Sequence, residues 1–148
     1  MKLFIYYSST GNGDAVADFL QQKGVHVRKV RPVKELPEAF LLRMAVGGFQ
    51  ALTGKKAELA DFDPDVSAYD DVIIGSPIWA GNLSSPINTV LDRVDLSGKR
   101  VSFILYSGSG KAVRAAAKLH KAYPDAVIRV LKGPKEKLNK KEDAAAKD

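Results

Sequence analysis

Short runs of apolar residues recur along the chain, and residues with helical spacing fill the stretches between them. The runs predict strands over residues 2–7, 25–30, 72–74, 101–106 and 126–131. Continuous apolar runs of this kind are typical of strands that are buried on both faces. Five strands that alternate with helices predict an α/β fold, with a doubly wound, five-stranded parallel sheet between two helical layers.

The first helix is predicted directly after the first strand. Ala15, Val16, Phe19 and Leu20 are spaced so that they share one helix face, and Gly24 can end the helix. Strand, helix and second strand together form a βαβ unit with short connections.

Two later helices are predicted after the third and fourth strands. Ser85 and Pro86 supply the first of them with an N-cap and a proline at the opening helical position. Its inward face is predicted to carry Ile87, Val90, Leu91 and Val94. The second is predicted to carry, on related faces, Val113, Ala116, Leu119 and His120.

Two stretches are less regular. Residues 40–52 have helical spacing that is interrupted at Gly47 and Gly48, which predicts a helix with a break. Residues 132–148 contain Leu138 as their only large apolar residue, so they can bury little surface. We therefore expect one domain over residues 1–131, followed by a polar tail that is mobile or loosely docked.

The composition limits the chemistry that the protein can perform. The chain has no cysteine and two histidines, which excludes disulfides, thiolate metal sites and cysteine nucleophiles and disfavours the usual zinc sites. Any redox chemistry must then come from an organic cofactor. No residue is a convincing general acid, general base or metal ligand.

The net charge of +6 does not form a nucleic-acid-binding surface in the sequence. Basic residues are scattered among acidic ones, and no aromatic residues alternate with them. No signal segment and no apolar run of membrane-spanning length is present. We expect a cytoplasmic protein with no nucleic-acid partner and no membrane insertion.

Three loops are expected to carry the chemistry, because ligands of open α/β sheets bind at the carboxyl ends of the strands. The first loop (residues 8–13) offers hydroxyls, two glycines and the start of a helix, which suits a phosphate, and it contains no lysine or arginine. The second loop (residues 76–82) contains Trp79, the only tryptophan, on a turn where a flat ligand is its natural partner. The third loop (residues 107–110) is small and polar.

Together the three loops resemble those of the flavodoxin family. Ser8, Thr10, Gly11 and Asn12 match the family's phosphate run, although Gly13 replaces its usual last hydroxyl residue. Residues 75–82 resemble the second flavin loop, whose aromatic ring lies against the isoalloxazine. The resemblance implies a non-covalently bound FMN. It assigns to the cofactor Ser8, Ser9, Thr10, Gly11, Asn12, Gly13, Ser76, Pro77, Ile78, Trp79, Ala80, Gly81, Asn82, Ser107, Gly108, Ser109 and Gly110.

Other families with this order of elements fit less well. A receiver domain needs a carboxylate where this chain has Gly75 and Ser76, and a low-molecular-weight phosphatase needs a cysteine. A dinucleotide-binding domain lacks its third glycine at Val16 and its ribose-binding acid, although Arg31 could meet the 2′-phosphate of NADP. A flavin-free domain of the same fold also stays open.

The resemblance implies electron transfer through the flavin, with either a redox partner protein or a small-molecule electron donor or acceptor. Shuttle flavodoxins are typically acidic, whereas this chain is basic. The charge leaves two alternatives open, a flavodoxin-like shuttle with acidic partners and an NAD(P)H- or quinone-linked reductase.

Overall fold

The computed structural model describes residues 1–34 and 56–137. In chain order its strands are β1 (Lys2–Tyr6), β2 (His26–Lys29), β3 (Arg31–Pro32), β4 (Leu59–Ala60), β5 (Asp71–Trp79), β6 (Asn82–Leu83), β7 (Arg100–Ser107) and β8 (Val127–Lys132). Five of them form a parallel sheet in the order β2-β1-β5-β7-β8. The predicted five-stranded parallel sheet is confirmed.

The remaining strands are short and antiparallel. β6 pairs with the end of β5 as a hairpin, and β3 pairs with β4. Within the main sheet β1 lies between β2 and β5, so the direction of strand progression reverses at β1. The carboxyl ends of β1 and β5 meet at this reversal, which is the ligand-binding position of doubly wound sheets.

Within the described residues three helices pack on the sheet: α1 (Asn12–Gln22), α2 (Ser85–Arg93) and α3 (Val113–Ala122). Alternate side chains of β1 point to opposite faces. Phe4 and Tyr6 join Val16 and Ala17 of α1 in one apolar cluster, whereas Leu3 and Ile5 belong to a larger cluster with residues of α2 and α3. Helices therefore lie on both faces of the sheet, and the predicted three-layer arrangement is confirmed.

The helix boundaries and faces differ from the prediction in detail. Ser84 is the N-cap of α2, with extended backbone, and Ser85 is already helical. Val113 is 77% exposed because α3 turns Ala115 and Leu119 inward instead. Phe19, expected on the inner face of α1, is 46% exposed.

The third strand is much longer than the sequence indicates. An apolar run was predicted only over residues 72–74, but β5 continues to Trp79 and so includes half of the second loop. Hydrogen bonds to β7 as far as the pair Pro77 and Tyr106 hold this extension straight. Regular pairing therefore compensates for the strand-breaking residues Gly75 and Pro77 in that segment.

The chain beyond residue 131 is partly described. β8 continues to Lys132, and residues 134–137 form a helical turn in which Pro134 is buried. The predicted helix over 40–52 and residues 138–148 of the tail lie outside the described residues. Among the helices that are described, none is long and apolar enough to span a membrane.

Candidate functional site

The first loop wraps around a single side-chain oxygen. The backbone N–H groups of Gly11 and Gly13 both donate to the Ser8 hydroxyl oxygen, at 3.2 and 3.1 Å. Gly11 has φ +93°, in the left-handed region, and caps the start of α1. Two N–H donors and a helix start thus converge on one point, which is the arrangement that binds anions in many proteins.

Gly13 has no space for a side chain. A Cβ atom there would lie 2.5 Å from the Tyr106 hydroxyl and 2.9 Å from the Tyr7 carbonyl oxygen. Tyr106 donates a hydrogen bond to that same carbonyl, so the end of β1 is tied to the end of β7 directly beside the loop. The missing hydroxyl at position 13 is therefore a consequence of how Tyr106 is packed.

A cation that the sequence did not indicate lies over the first loop. The Nζ and Cδ atoms of Lys135 are each 3.2 Å from the Cβ position of Gly11. The backbone N–H of Lys135 donates to Asn12 Oδ1 at 3.2 Å, across 123 residues of chain. No spacing or motif connects these positions in the sequence, because the contact depends on where β8 ends in the sheet.

The first half of the second loop is structural. Ser76 is completely buried, and its hydroxyl donates to the Pro77 carbonyl and accepts from the Ser84 backbone N–H. Its oxygen also lies 3.0 Å from the Ser84 hydroxyl oxygen. These bonds join the end of β5 to the start of α2. Pro77 is buried as well, so neither side chain faces the open end of the site.

The second half of this loop is a tight hairpin. Ala80 and Gly81 both have positive φ, +49° and +79°, which is the signature of a type I′ turn between paired strands. The Asn82 side chain donates to the Ala80 carbonyl at 3.2 Å and accepts from Lys118 Nζ at 3.1 Å. A lysine of α3 thus holds the amide that fixes the turn.

Trp79 is the last residue of β5, not part of the turn as predicted. Its indole is half-buried and packs edge-to-face on Tyr7, with ring centroids 5.7 Å apart. It therefore does fill part of the core, on the side of the larger cluster. Its remaining surface lines a cleft of about 340 Å³ together with Tyr7, Pro32 and Pro86.

The third loop is organised by its own hydroxyls. Ser107 accepts from the Gly110 N–H at 3.0 Å and donates to the Lys111 carbonyl at 2.9 Å. Ser109 accepts from the Lys111 N–H at 3.2 Å. Gly108 is exposed, and nothing lies within 4 Å of its Cβ position. The backbone at Gly108 is therefore open to a ligand.

Two tyrosines near the site remain protonated. Burial raises the pKa of Tyr106 well above its ordinary value, so it stays a hydrogen-bond donor to Tyr7. Burial and the hydrogen bond to Asp14 raise the pKa of Tyr6. Asp14 also pairs with Lys29 at 2.9 Å. Within residues 1–34 and 56–137 no cluster of acidic or histidine side chains could hold a metal ion.

Residues 1–135 match the family model of NADPH-dependent FMN reductases. The chain belongs to this family. The match confirms FMN as the predicted cofactor. It corrects the family, because the predicted resemblance to flavodoxins holds for the fold and the cofactor, whereas the family itself is one of reductases.

Solved structures of flavoproteins share this fold. A candidate flavoprotein from Bacteroides eggerthii DSM 20697 is 25% identical with a TM-score of 0.73, covering 98% of this chain and 97% of that one. A second, from Bacteroides uniformis ATCC 8492, is 25% identical with a TM-score of 0.71, covering 86% and 85%. A flavoprotein from Lactobacillus acidophilus NCFM, solved in complex with FMN, is 21% identical with a TM-score of 0.66, covering 86% and 88%. No curated protein sequence matches significantly.

In this family member the three predicted loops do meet at one edge of the sheet, at the ends of β1, β5 and β7. Sequence reasoning located the loops but missed three side chains that shape them. Tyr106 excludes a side chain at Gly13, Lys118 holds Asn82, and Lys135 lies over Gly11. Only Tyr106, as the last apolar residue of a predicted strand, gave a signal in the sequence.

Proposed function

We propose that the protein is an FMN-dependent reductase that oxidises NAD(P)H and passes the electrons to a small-molecule or protein acceptor. The observation that carries this proposal is the first loop, with its two N–H groups on one oxygen at the start of α1. That geometry suits the 5′-phosphate of FMN. The family match over residues 1–135 supports the same reading.

The residues present fit a phosphate monoester. Gly11 and Gly13 have no side chains to cover the backbone, and in this proposal their N–H groups, which donate to the Ser8 hydroxyl, would turn to a stronger acceptor. An anionic oxygen accepts N–H hydrogen bonds about twice as strongly as a neutral hydroxyl. In this proposal the phosphate is held by Ser8, Ser9, Thr10, Gly11, Asn12 and Gly13.

The other two loops would hold the flavin ring. The proposal assigns Trp79 to one face of the ring, because its half-exposed indole stands at the carboxyl end of β5. Ala80, Gly81 and Asn82 would contribute backbone groups at the edge of the ring, and residues 107–110 would contribute theirs on the other side. Ser76 and Pro77 would act by supporting the strand rather than by contact.

FMN held by the three loops would supply the redox chemistry, which is uptake of a hydride from NAD(P)H and delivery of two electrons to the acceptor, with the remaining proton passing to the acceptor or to solvent. The protein would position this exchange and keep water from the Trp79 side of the ring. No residue near the three loops is required as a proton donor, since the hydride needs none.

The charge near the second loop suits the phosphates of NAD(P)H. Arg114 Nη1 lies 4.0 Å from the Cβ position of Gly81, and Lys118 bonds Asn82. Lys111 is exposed at the end of the third loop. Cations beside a flavin edge attract the phosphates of a dinucleotide and raise its rate of association.

The proposal is tested by titrating the apoprotein with FMN and riboflavin and then mixing the holoprotein with NADPH and NADH under anaerobic stopped-flow conditions. We expect FMN to bind more tightly than riboflavin, Trp79 emission to be quenched, and the flavin absorbance to bleach on mixing. A flavin that binds but is not reduced by either nucleotide would favour the electron-shuttle alternative. A protein that binds no flavin would overturn the proposal.

The assignment of Trp79 has its own control. The chain has one tryptophan, so its emission reports on this ring alone. We expect Trp79→Ala to weaken binding of FMN and of riboflavin by similar factors, since both carry the same ring. A loss confined to FMN would place Trp79 at the phosphate instead.

A further inference from the structure

We propose that Lys135 is a phosphate-binding residue that gives this protein its preference for FMN over riboflavin. This inference rests on the proposed function and adds a cation to a loop that has none of its own. Its side chain comes from the helical turn after β8, at the far end of the domain sequence from the first loop.

The position of Lys135 is fixed from two sides. Its backbone N–H donates to Asn12 Oδ1, which ties the turn to the first residue of α1. The turn is closed by the N–H groups of Glu136 and Lys137, which both donate to the Gly133 carbonyl. Pro134 is buried beneath it. The backbone of Lys135 is therefore fixed beside the first loop by bonds that do not involve its side chain.

The charges around the ammonium group are unbalanced. Lys135 Nζ lies 3.2 Å from the Cβ position of Gly11, the residue that caps the positive N-terminal end of α1. The carboxylate in the first turn of α1, that of Asp14, already binds Lys29 and the Tyr6 hydroxyl. Among the described residues Lys135 forms no ion pair. A group with two negative charges would complete this arrangement, and the phosphate of FMN is such a group.

The neutral end of riboflavin would gain no electrostatic attraction from the Lys135 ammonium group. Lys135 would therefore increase the affinity for FMN alone, whereas residues that contact the ring would increase the affinity for both flavins. This distinction separates a phosphate-binding role from a role in docking the turn.

Lys137 provides a matched control. It lies two residues away on the same turn, is also exposed, and lines a groove beside the sheet rather than the first loop. Lys135→Gln and Lys137→Gln change the net charge equally, so a general effect of charge would appear in both variants.

The experiment measures dissociation constants of the full-length variants for FMN and riboflavin at low salt and near 1 M salt, with thermal melts to check folding. We expect Lys135→Gln to weaken FMN binding about tenfold at low salt. The loss should shrink at high salt, where exposed charges are screened within about 3 Å. Riboflavin binding should not change, Lys135→Arg should retain most of the FMN affinity, and Lys137→Gln should resemble the wild type.

The outcomes distinguish this inference from the function on which it rests. If Lys135→Gln leaves the ratio of the two dissociation constants unchanged, Lys135 does not bind phosphate, whatever happens to overall affinity. An equal effect of Lys137→Gln would also overturn the inference, because it would indicate general charge attraction. A wild-type protein that binds neither flavin would instead overturn the proposed function itself.

Discussion

The hydroxyl oxygen of Tyr106 lies 2.5 Å from the position that a Cβ atom on residue 13 would take. The Ser8 Cβ and the Tyr7 carbonyl oxygen are nearly as close, at 2.8 and 2.9 Å. Tyr7 and Ser8 directly follow the buried strand β1 and cannot move aside without disturbing the sheet. The glycine is therefore required by packing between β1, β7 and the start of α1.

This packing predicts that Gly13→Thr weakens the fold even though it restores a hydroxyl typical of flavodoxins. Overpacking of a tight site costs about 1–3 kcal/mol, and we expect a loss of unfolding free energy near the upper end. Urea denaturation measures it. Gly108→Thr is the control, because that Cβ would meet nothing within 4 Å. A stable Gly13→Thr protein with tighter FMN binding would show that the Tyr106 side chain can move aside with little loss of stability.

The positive φ at Ala80 predicts that a glycine at this position stabilises the fold. Ala80 has φ +49°, a conformation that costs a non-glycine residue about 1–2 kcal/mol. Ala80→Gly removes this strain but increases the freedom of the unfolded chain, so we expect a net gain of about 0.5–1 kcal/mol in unfolding free energy. Ala117→Gly, on the exposed face of α3, should lose about 1 kcal/mol. Equal losses in both variants would contradict the positive φ at Ala80.

The bond between Lys118 and Asn82 predicts energetic coupling between α3 and the second loop. A double-mutant cycle of Lys118→Met and Asn82→Ala should give a coupling energy of about 0.5–1 kcal/mol in unfolding free energy. Lys121→Met is the control, because Lys121 lies one turn further along α3. Its effect should add to that of Asn82→Ala within about 0.5 kcal/mol. Full additivity at Lys118 would mean that the lysine does not hold the turn in solution.

The ion pair between Asp71 and Arg100 predicts a pH dependence. Two hydrogen bonds of 2.7 and 2.9 Å from Arg100 lower the pKa of Asp71. A carboxyl whose pKa is lower in the folded state stabilises the protein above its unfolded pKa of about 3.9, and this contribution disappears as the pH falls through the folded value.

We therefore expect Asp71→Asn to melt at a lower temperature than the wild type near pH 7, with the difference closing below about pH 4. The difference should be small, because Arg100 is largely exposed to solvent. In an Arg100→Gln background the same substitution should have less effect at pH 7. A difference that grows as the pH falls would contradict the ion pair.

The sequence by itself determined the sheet and the place of the candidate site. Apolar runs separated by helical spacing are a local property, so β1, β7 and β8 and helices α1 and α3 could be predicted from their own residues. The rule that ligands bind at strand carboxyl ends then identified the three loops. The glycines and hydroxyls of residues 8–13 needed no further information, because neighbouring residues shape that loop.

Only the tertiary structure decided how far each strand runs and which distant side chains reach the loops. β5 extends through Gly75 and Pro77 because β7 pairs with it, and no local pattern can reveal that support. Trp79 is partly buried because Tyr7 stands beside it at the end of the neighbouring strand. Lys135 reaches Gly11 only because β8 ends at the same edge of the sheet as β1. Such contacts depend on strand order, which is a property of the whole sheet and not of any segment.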